Sequence, residues 1–184
     1  MQEPLKLLRS VRAFGLVLVA TLAIGCGGET TVRERSAAPP RNGEGTPRPR
    51  SAATTLAGIP LVLEIAAEPA ARGKGLSGRT ALNGDEGMIF LYGVAESRSF
   101  WMMDCLIGLD IAFLDDERRI LNVVSLDPPR PGAPESEVGR AQSAGAARYV
   151  LEMRKGWFAE KKVGPGAAVV FSDAVEAAAR GAAR

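Results

Sequence analysis

The sequence contains no histidine. That excludes Ser-His-Asp and Cys-His catalytic arrangements, the HExxH zinc motif and most imidazole-held metal sites. Cysteine is almost as scarce, with Cys26 and Cys105 alone in 184 residues. No disulfide framework is expected from so few. Aromatic residues make up 5% of the chain, so each one in a promising position counts. No apolar run reaches the ~20 residues of a membrane-spanning helix. No phosphate-binding glycine loop is present either. Gly73-Lys74-Gly75-Leu76-Ser77-Gly78 has the composition but not the spacing, and reads as a turn. Positive charge is not concentrated anywhere in the body of the chain. Between residues 57 and 173 there are thirteen Lys and Arg against sixteen Asp and Glu, so the sequence pI of about 8.7 comes from the two ends. A nucleic-acid partner is therefore not expected.

What is present begins at the N-terminus. Lys6, Arg9 and Arg12 form a basic start, and an apolar run follows from Ala13 to Ile24, broken only by Gly15 and Thr21. At ~12 residues it has the length of a secretory signal core. It ends in Leu22-Ala23-Ile24-Gly25-Cys26. Small residues before a cysteine resemble the lipobox of bacterial lipoproteins. The resemblance implies cleavage before Cys26 and attachment of a lipid to its sulfur. Two or three acyl chains on one residue anchor stably. The alternative is an ordinary signal cut near Gly25 that leaves a free thiol. Residues 1–25 are thus expected to be a signal peptide, and the protein is expected at the cell envelope, outside the cytoplasm and lipid-anchored to the membrane.

Residues 26–57 read as a tether. Pro39, Pro40, Pro47 and Pro49 punctuate a stretch of Arg, Ser, Ala, Thr and Gly. With so few large apolar side chains, burial cannot offset the entropy of ordering. Residues 58–173 are long enough for one domain with a core of its own. Residues 174–184 read as an alanine-rich tail, a frayed helix at most.

Within the domain the pattern predicts short strands at Leu61–Ala66, Met88–Tyr92, Ser99–Met103, Leu109–Leu114, Ile120–Leu126, Tyr149–Met153 and Ala167–Phe171. Brief helices are predicted after Glu68-Pro69 and over Gly156–Lys162. Residues 127–146, with four prolines, read as a long surface loop. The expected fold is mainly β, a jelly-roll-like sandwich or partly closed barrel with one or two short helices.

The candidate site residues lie in the middle of the domain. Asp104 and Asp110 are six residues apart and could face one cleft, as acid and base in sugar hydrolysis or as hard ligands for calcium. The preferred reading makes Asp110 an internal acceptor of backbone amides and Asp104 a solvated residue. Trp101 is either core or a stacking platform. Arg72 and Arg79 flank the glycine-rich turn and could clamp an anion, or pair with Glu64 or Glu152. Cys105, among large apolar residues, is expected to be buried. No metal or cofactor is called for.

The ordered pieces resemble a known family, the bacterial and archaeal domain of unknown function 192. They are Leu63-Glu64-Ile65-Ala66, Ala71 to Arg79, Glu86 to Phe90, Phe100 to Leu114, Arg148 to Glu152 and Gly156-Trp157-Phe158. Ser77, Met103-Asp104-Cys105, Gly108 and Ala167 depart from the family's usual residues. The resemblance implies a mainly β, jelly-roll-like domain, often exported or lipid-anchored, with no settled reaction. A binding domain for a small molecule, glycan or envelope protein is the first expectation, and an enzyme is not favoured. A carboxylate-dependent enzyme on an envelope polysaccharide and a structural accessory of an envelope complex are the alternatives. Paired inward carboxylates would favour the enzyme, and a pocket lined by Trp101 and Tyr149 without such a pair would favour binding.

Overall fold

The computed structural model describes residues 51–183. Cys26, the signal and residues 27–50 of the tether lie outside them. Seven strands form one curled sheet in the order β6-β5-β8-β3-β2-β1-β9, and β4 and β7 form a separate two-stranded ribbon. The strands are β1 (Ser51–Leu56), β2 (Ile59–Ala66), β3 (Glu86–Glu96), β4 (Ser99–Trp101), β5 (Leu109–Leu114), β6 (Ile120–Leu126), β7 (Arg140–Gln142), β8 (Ala147–Arg154) and β9 (Val169–Val170). Three helices, α1 (Pro69–Lys74), α2 (Trp157–Lys161) and α3 (Asp173–Ala182), punctuate them. The mainly β, partly closed barrel expected from the sequence is the architecture found.

Most of the sheet is antiparallel, as hairpin connections allow. The exception is β2 with β3, which pair in parallel from Val62↔Glu86 to Ala66↔Phe90. A parallel pair needs a crossover, and residues 67–85, carrying α1, supply it. The two ends of the sheet approach each other. The segment at residues 166–170 pairs with β1 through Thr55↔Val170 and Leu56↔Val169. It also reaches the β5–β6 hairpin through the Arg119↔Ala168 bridge and the bond from the Ile120 N–H to the Ala167 carbonyl, 2.9 Å.

Strand alternation sorts the side chains onto two faces. Inside the barrel, Leu61, Leu63, Ile89, Leu91, Ala112, Leu114, Leu151 and Met153 pack with Trp157, Phe158 and Phe171. On the outer face, Met88, Phe90, Leu109, Ile111, Phe113 and Val150 would be exposed. They are covered instead by Leu76, Met102, Cys105, Val138 and Ala141, from the loops and the ribbon. Each fully buried large side chain contributes roughly 1.5–3 kcal/mol, so both layers are needed.

Two boundaries differ from the sequence reading. The tether expected to run to residue 57 gives way to β1 at Ser51, because Ala52, Thr54 and Leu56 turn inward and Leu56 is fully buried. The tail from residue 174 is an ordered helix whose Val175 and Ala179 enter the barrel core. Bare Gly93 lets it approach β3, since a Cβ there would stand 2.7 Å from the Ala182 carbonyl oxygen. The loop at 127–146 is also less plain than expected, for it holds β7 and a 3-10 turn, Glu135–Glu137.

Candidate functional site

Where β3 and β8 run side by side, Met88 faces Glu152 and Phe90 faces Val150 on the outer surface of the sheet. The loop after α1 and the segment after β4 fold over this surface. They are tied together by the Ser77 hydroxyl donating to the Met103 carbonyl at 3.1 Å and the Gly78 N–H donating to the Asp104 carbonyl at 2.9 Å. The space left beneath is a cavity of about 160 Å³. Its floor and walls include Arg72, Gly75, Phe90, Tyr92, Phe100, Trp101, Cys105 and Glu152.

Glu152 is the unusual member. It sits mid-strand, 5% exposed, and its Oε2 has no hydrogen-bond partner among the described residues. Burial penalises its charged form and pushes its pKa up to about 8. Burial therefore favours the protonated carboxyl, which can donate a hydrogen bond. An unpaired buried polar group costs roughly 1–3 kcal/mol, and here that cost falls at a cavity. Gly75 keeps the space open: its φ is +50°, and a Cβ there would meet the Phe90 ring at 3.4 Å and Glu152 Oε2 at 3.9 Å.

The aromatic side is ordered from behind. Phe90 and Phe100 meet edge to face with centroids 4.9 Å apart, and Phe100 continues to Phe113 at 5.9 Å. Tyr92 is overlaid by two guanidinium groups, Arg98 at 3.3 Å and Arg72 at 4.9 Å from the ring centroid. Arg72 Nη1 donates to the carbonyls of Ala67 and Leu91. Arg98 binds the carbonyls of Ala147 (2.8 Å) and Val94 (2.7 Å), which holds the end of β3 against β8. Trp101 stands at the rim, 43% exposed, with Arg140 4.8 Å over its ring from the neighbouring ribbon strand. The Cys105 thiol is buried, and desolvation, reinforced by nearby carboxylates, raises its pKa to about 11. It is a weak nucleophile at neutral pH.

Of the residues singled out from the sequence, the fold therefore brings Arg72, Trp101 and Glu152 to one cavity. It does not bring the others there. Asp110 lies on the barrel-interior side of β5, accepting from the Ser125 hydroxyl at 2.6 Å and the Phe158 N–H at 3.3 Å. Asp104 is exposed in the turn after β4, with φ +56°. The two carboxylates do not share a cleft, because strand alternation sends Asp110 through the sheet. Arg79 is held by Glu64, with oxygens at 2.5 and 2.6 Å, away from the cavity. Tyr149 is 4% exposed and packs edge to face on Phe171 at 5.0 Å inside the barrel. A cleft shared by Trp101 and Tyr149 is excluded by their lying on opposite faces. Phe90, Tyr92 and Phe100 had no distinguishing mark in the sequence, where they read as ordinary strand residues. No cluster of three acidic or sulfur side chains that could hold a metal occurs among the described residues.

Three comparisons bear on what this arrangement belongs to. No curated protein matches the chain. A crystal structure of a protein of unknown function from Novosphingobium aromaticivorans is 31% identical, covers 79% of this chain and all of its own, and superposes with a TM-score of 0.56. Another, of a candidate transcription regulator from Sinorhizobium meliloti, is 26% identical over 68% of this chain and 96% of its own, with a TM-score of 0.59. The profile of the DUF192 family, described as "Uncharacterized ACR", matches residues 52–171, which span the strand β1 and the cavity alike. The chain belongs to the DUF192 family.

Proposed function

We propose that this is an envelope binding domain, tethered through a lipid on Cys26, that captures a small polar group in the cavity over β3 and β8. One observation carries the reading: Glu152, buried and without a hydrogen-bond partner for its Oε2 among the described residues, is one of the residues that line this cavity. A position needed only for folding would be more stable with an apolar side chain there. Catalysis by paired carboxylates has less support, since Glu152 is the one acidic residue lining this cavity and acid–base pairs need two. The regulator description of the Sinorhizobium protein does not extend to a nucleic-acid role here, because the domain is slightly acidic.

The test is backbone amide NMR of the full chain against a library of small polar compounds, beside a Glu152→Leu variant. Perturbations should gather at residues 72–77, 99–105 and 152 in the parent and disappear in the variant, while the variant melts at a higher temperature. Hits that persist in Glu152→Leu, or a library without hits at these residues, would overturn the proposal.

A further inference from the structure

We propose that the ligand is an uncharged, hydroxyl-rich ring, a single saccharide or cyclitol unit. This rests on the binding reading above and adds the chemical class. Size sets the first limit. A cavity of about 160 Å³ is close to the ~150 Å³ that holds one benzene ring, and well below the ~300–1,000 Å³ of pockets for drug-sized ligands. One six-membered ring, or the end unit of a longer glycan, fits that space.

Charge sets the second limit. An anion would need a free cation in the cavity. Two basic residues line it: Arg72, whose guanidinium is already engaged by two main-chain carbonyls and the Tyr92 ring, and Lys74, which is solvent-exposed, so its charge is screened by water rather than buried against a ligand. A cation would need an ionised carboxylate, but Glu152 lies where burial favours its protonated form. It would also face Arg72 across the same small space. A neutral ligand avoids both conflicts.

Shape and polarity set the third. The lining mixes hydroxyl and carboxyl groups, Ser77, Ser99 and Glu152, with the rings of Phe100 and Trp101. A saccharide has the matching duality, with hydroxyls around its edge and an apolar C–H face. A protonated carboxyl both donates and accepts, as a ring hydroxyl does. Trp101, half open at the rim, offers an aromatic surface for the C–H face.

Trp101 also supplies the readout, because the other tryptophan, Trp157, is fully buried. The full chain would be titrated by intrinsic fluorescence with glucose, galactose and myo-inositol, and in parallel with ethanolamine and acetate. Each titration would be repeated on Glu152→Gln and Glu152→Leu. A neutral ring ligand should bind saturably and tolerate Glu152→Gln within about threefold, since an amide replaces one donor–acceptor group by another. Glu152→Leu should lose about tenfold or more, as expected when a ligand hydroxyl faces no partner. Binding of ethanolamine that Glu152→Gln abolishes, or binding of acetate, would overturn the ligand class while leaving the binding site standing. Silence from every probe would overturn the ligand class, and the binding site itself would then stand or fall on the amide NMR screen described above.

Discussion

Glu152 makes a prediction about pH that concerns the folded protein alone. Its carboxyl is ordinary in the unfolded chain, near 4.5, and raised to about 8 in the fold. Between those values the native state holds the extra proton, so stability falls as pH rises from about 5 to about 8 and levels off beyond. The total change is on the order of a few kcal/mol. Urea denaturation across that window should show the slope in the parent and a much flatter line in Glu152→Gln. A parent without slope would mean the carboxyl is solvated. Asp110 differs from Glu152 in being partnered. It is committed to the Ser125 hydroxyl and the Phe158 amide, so Asp110→Ala should cost about 1–3 kcal/mol by leaving buried donors unpaired. Chemical denaturation reads this directly, and an unchanged midpoint would remove Asp110 from the structural framework. Asp104→Ala, in an exposed turn, should change little, although its positive φ makes Asp104→Gly the better-tolerated replacement. At this scale the sequence told part of the story. Asp110 between Leu109 and Ile111 marked itself as a carboxylate that needs a partner. Tyr149 did not mark itself as interior, because an alternating strand gives no sign of which of its two faces meets the barrel and which the loops.

At the scale of elements, strands with large side chains were legible and the terminal pieces were not. Leu109–Leu114 and Ile120–Leu126 lie where their apolar composition puts them. By contrast β1 reads Ser-Ala-Ala-Thr-Thr-Leu, too weakly hydrophobic for its alternation to stand out from the tether before it. Its order comes from pairing along its whole length, Ser51↔Glu64 to Leu56↔Ile59. A chain truncated before Gly58 should therefore lose Leu56 from the core, bare the edge of β2 and aggregate. Size-exclusion chromatography would show it, and a monodisperse truncated domain would contradict the strand's importance. The final helix is hard to read from the sequence for a similar reason. Alanines over residues 177–183 suggest fraying, yet Val175 and Ala179 are buried at 0% and 7% exposure. Gly93→Ala should push the Ala182 end of α3 off the sheet and lower the melting temperature by several degrees, as expected for roughly 1–2 kcal/mol in a domain of this size.

For the whole molecule, the proposed lipid on Cys26 makes a prediction about where it resides. Cys26→Ala should move the protein from the membrane to the soluble fraction, because the sulfur is the expected point of lipid attachment. Equal membrane retention of the variant would refute the anchor. The domain's own thiol should be silent throughout, since Cys105 is buried with its pKa near 11. Iodoacetamide should label the native chain slowly and the unfolded chain at once.

The doubly paired segment at residues 166–170 has a consequence for the time order of folding. Thr55 meets Val170, and Arg119 meets Ala168, so the seam of the barrel joins residues more than a hundred positions apart to others nearly fifty apart. A chain made from its N-terminus has β1 and β2 available early, but the strand that completes the seam arrives almost last. At ~5–20 residues per second of synthesis, the interval between them is many seconds, during which the β1 edge waits unpaired. Such distant closure is intrinsically slow. A nascent chain arrested before residue 166 should thus remain protease-sensitive, and resistance should arrive abruptly once Val170 is free to pair.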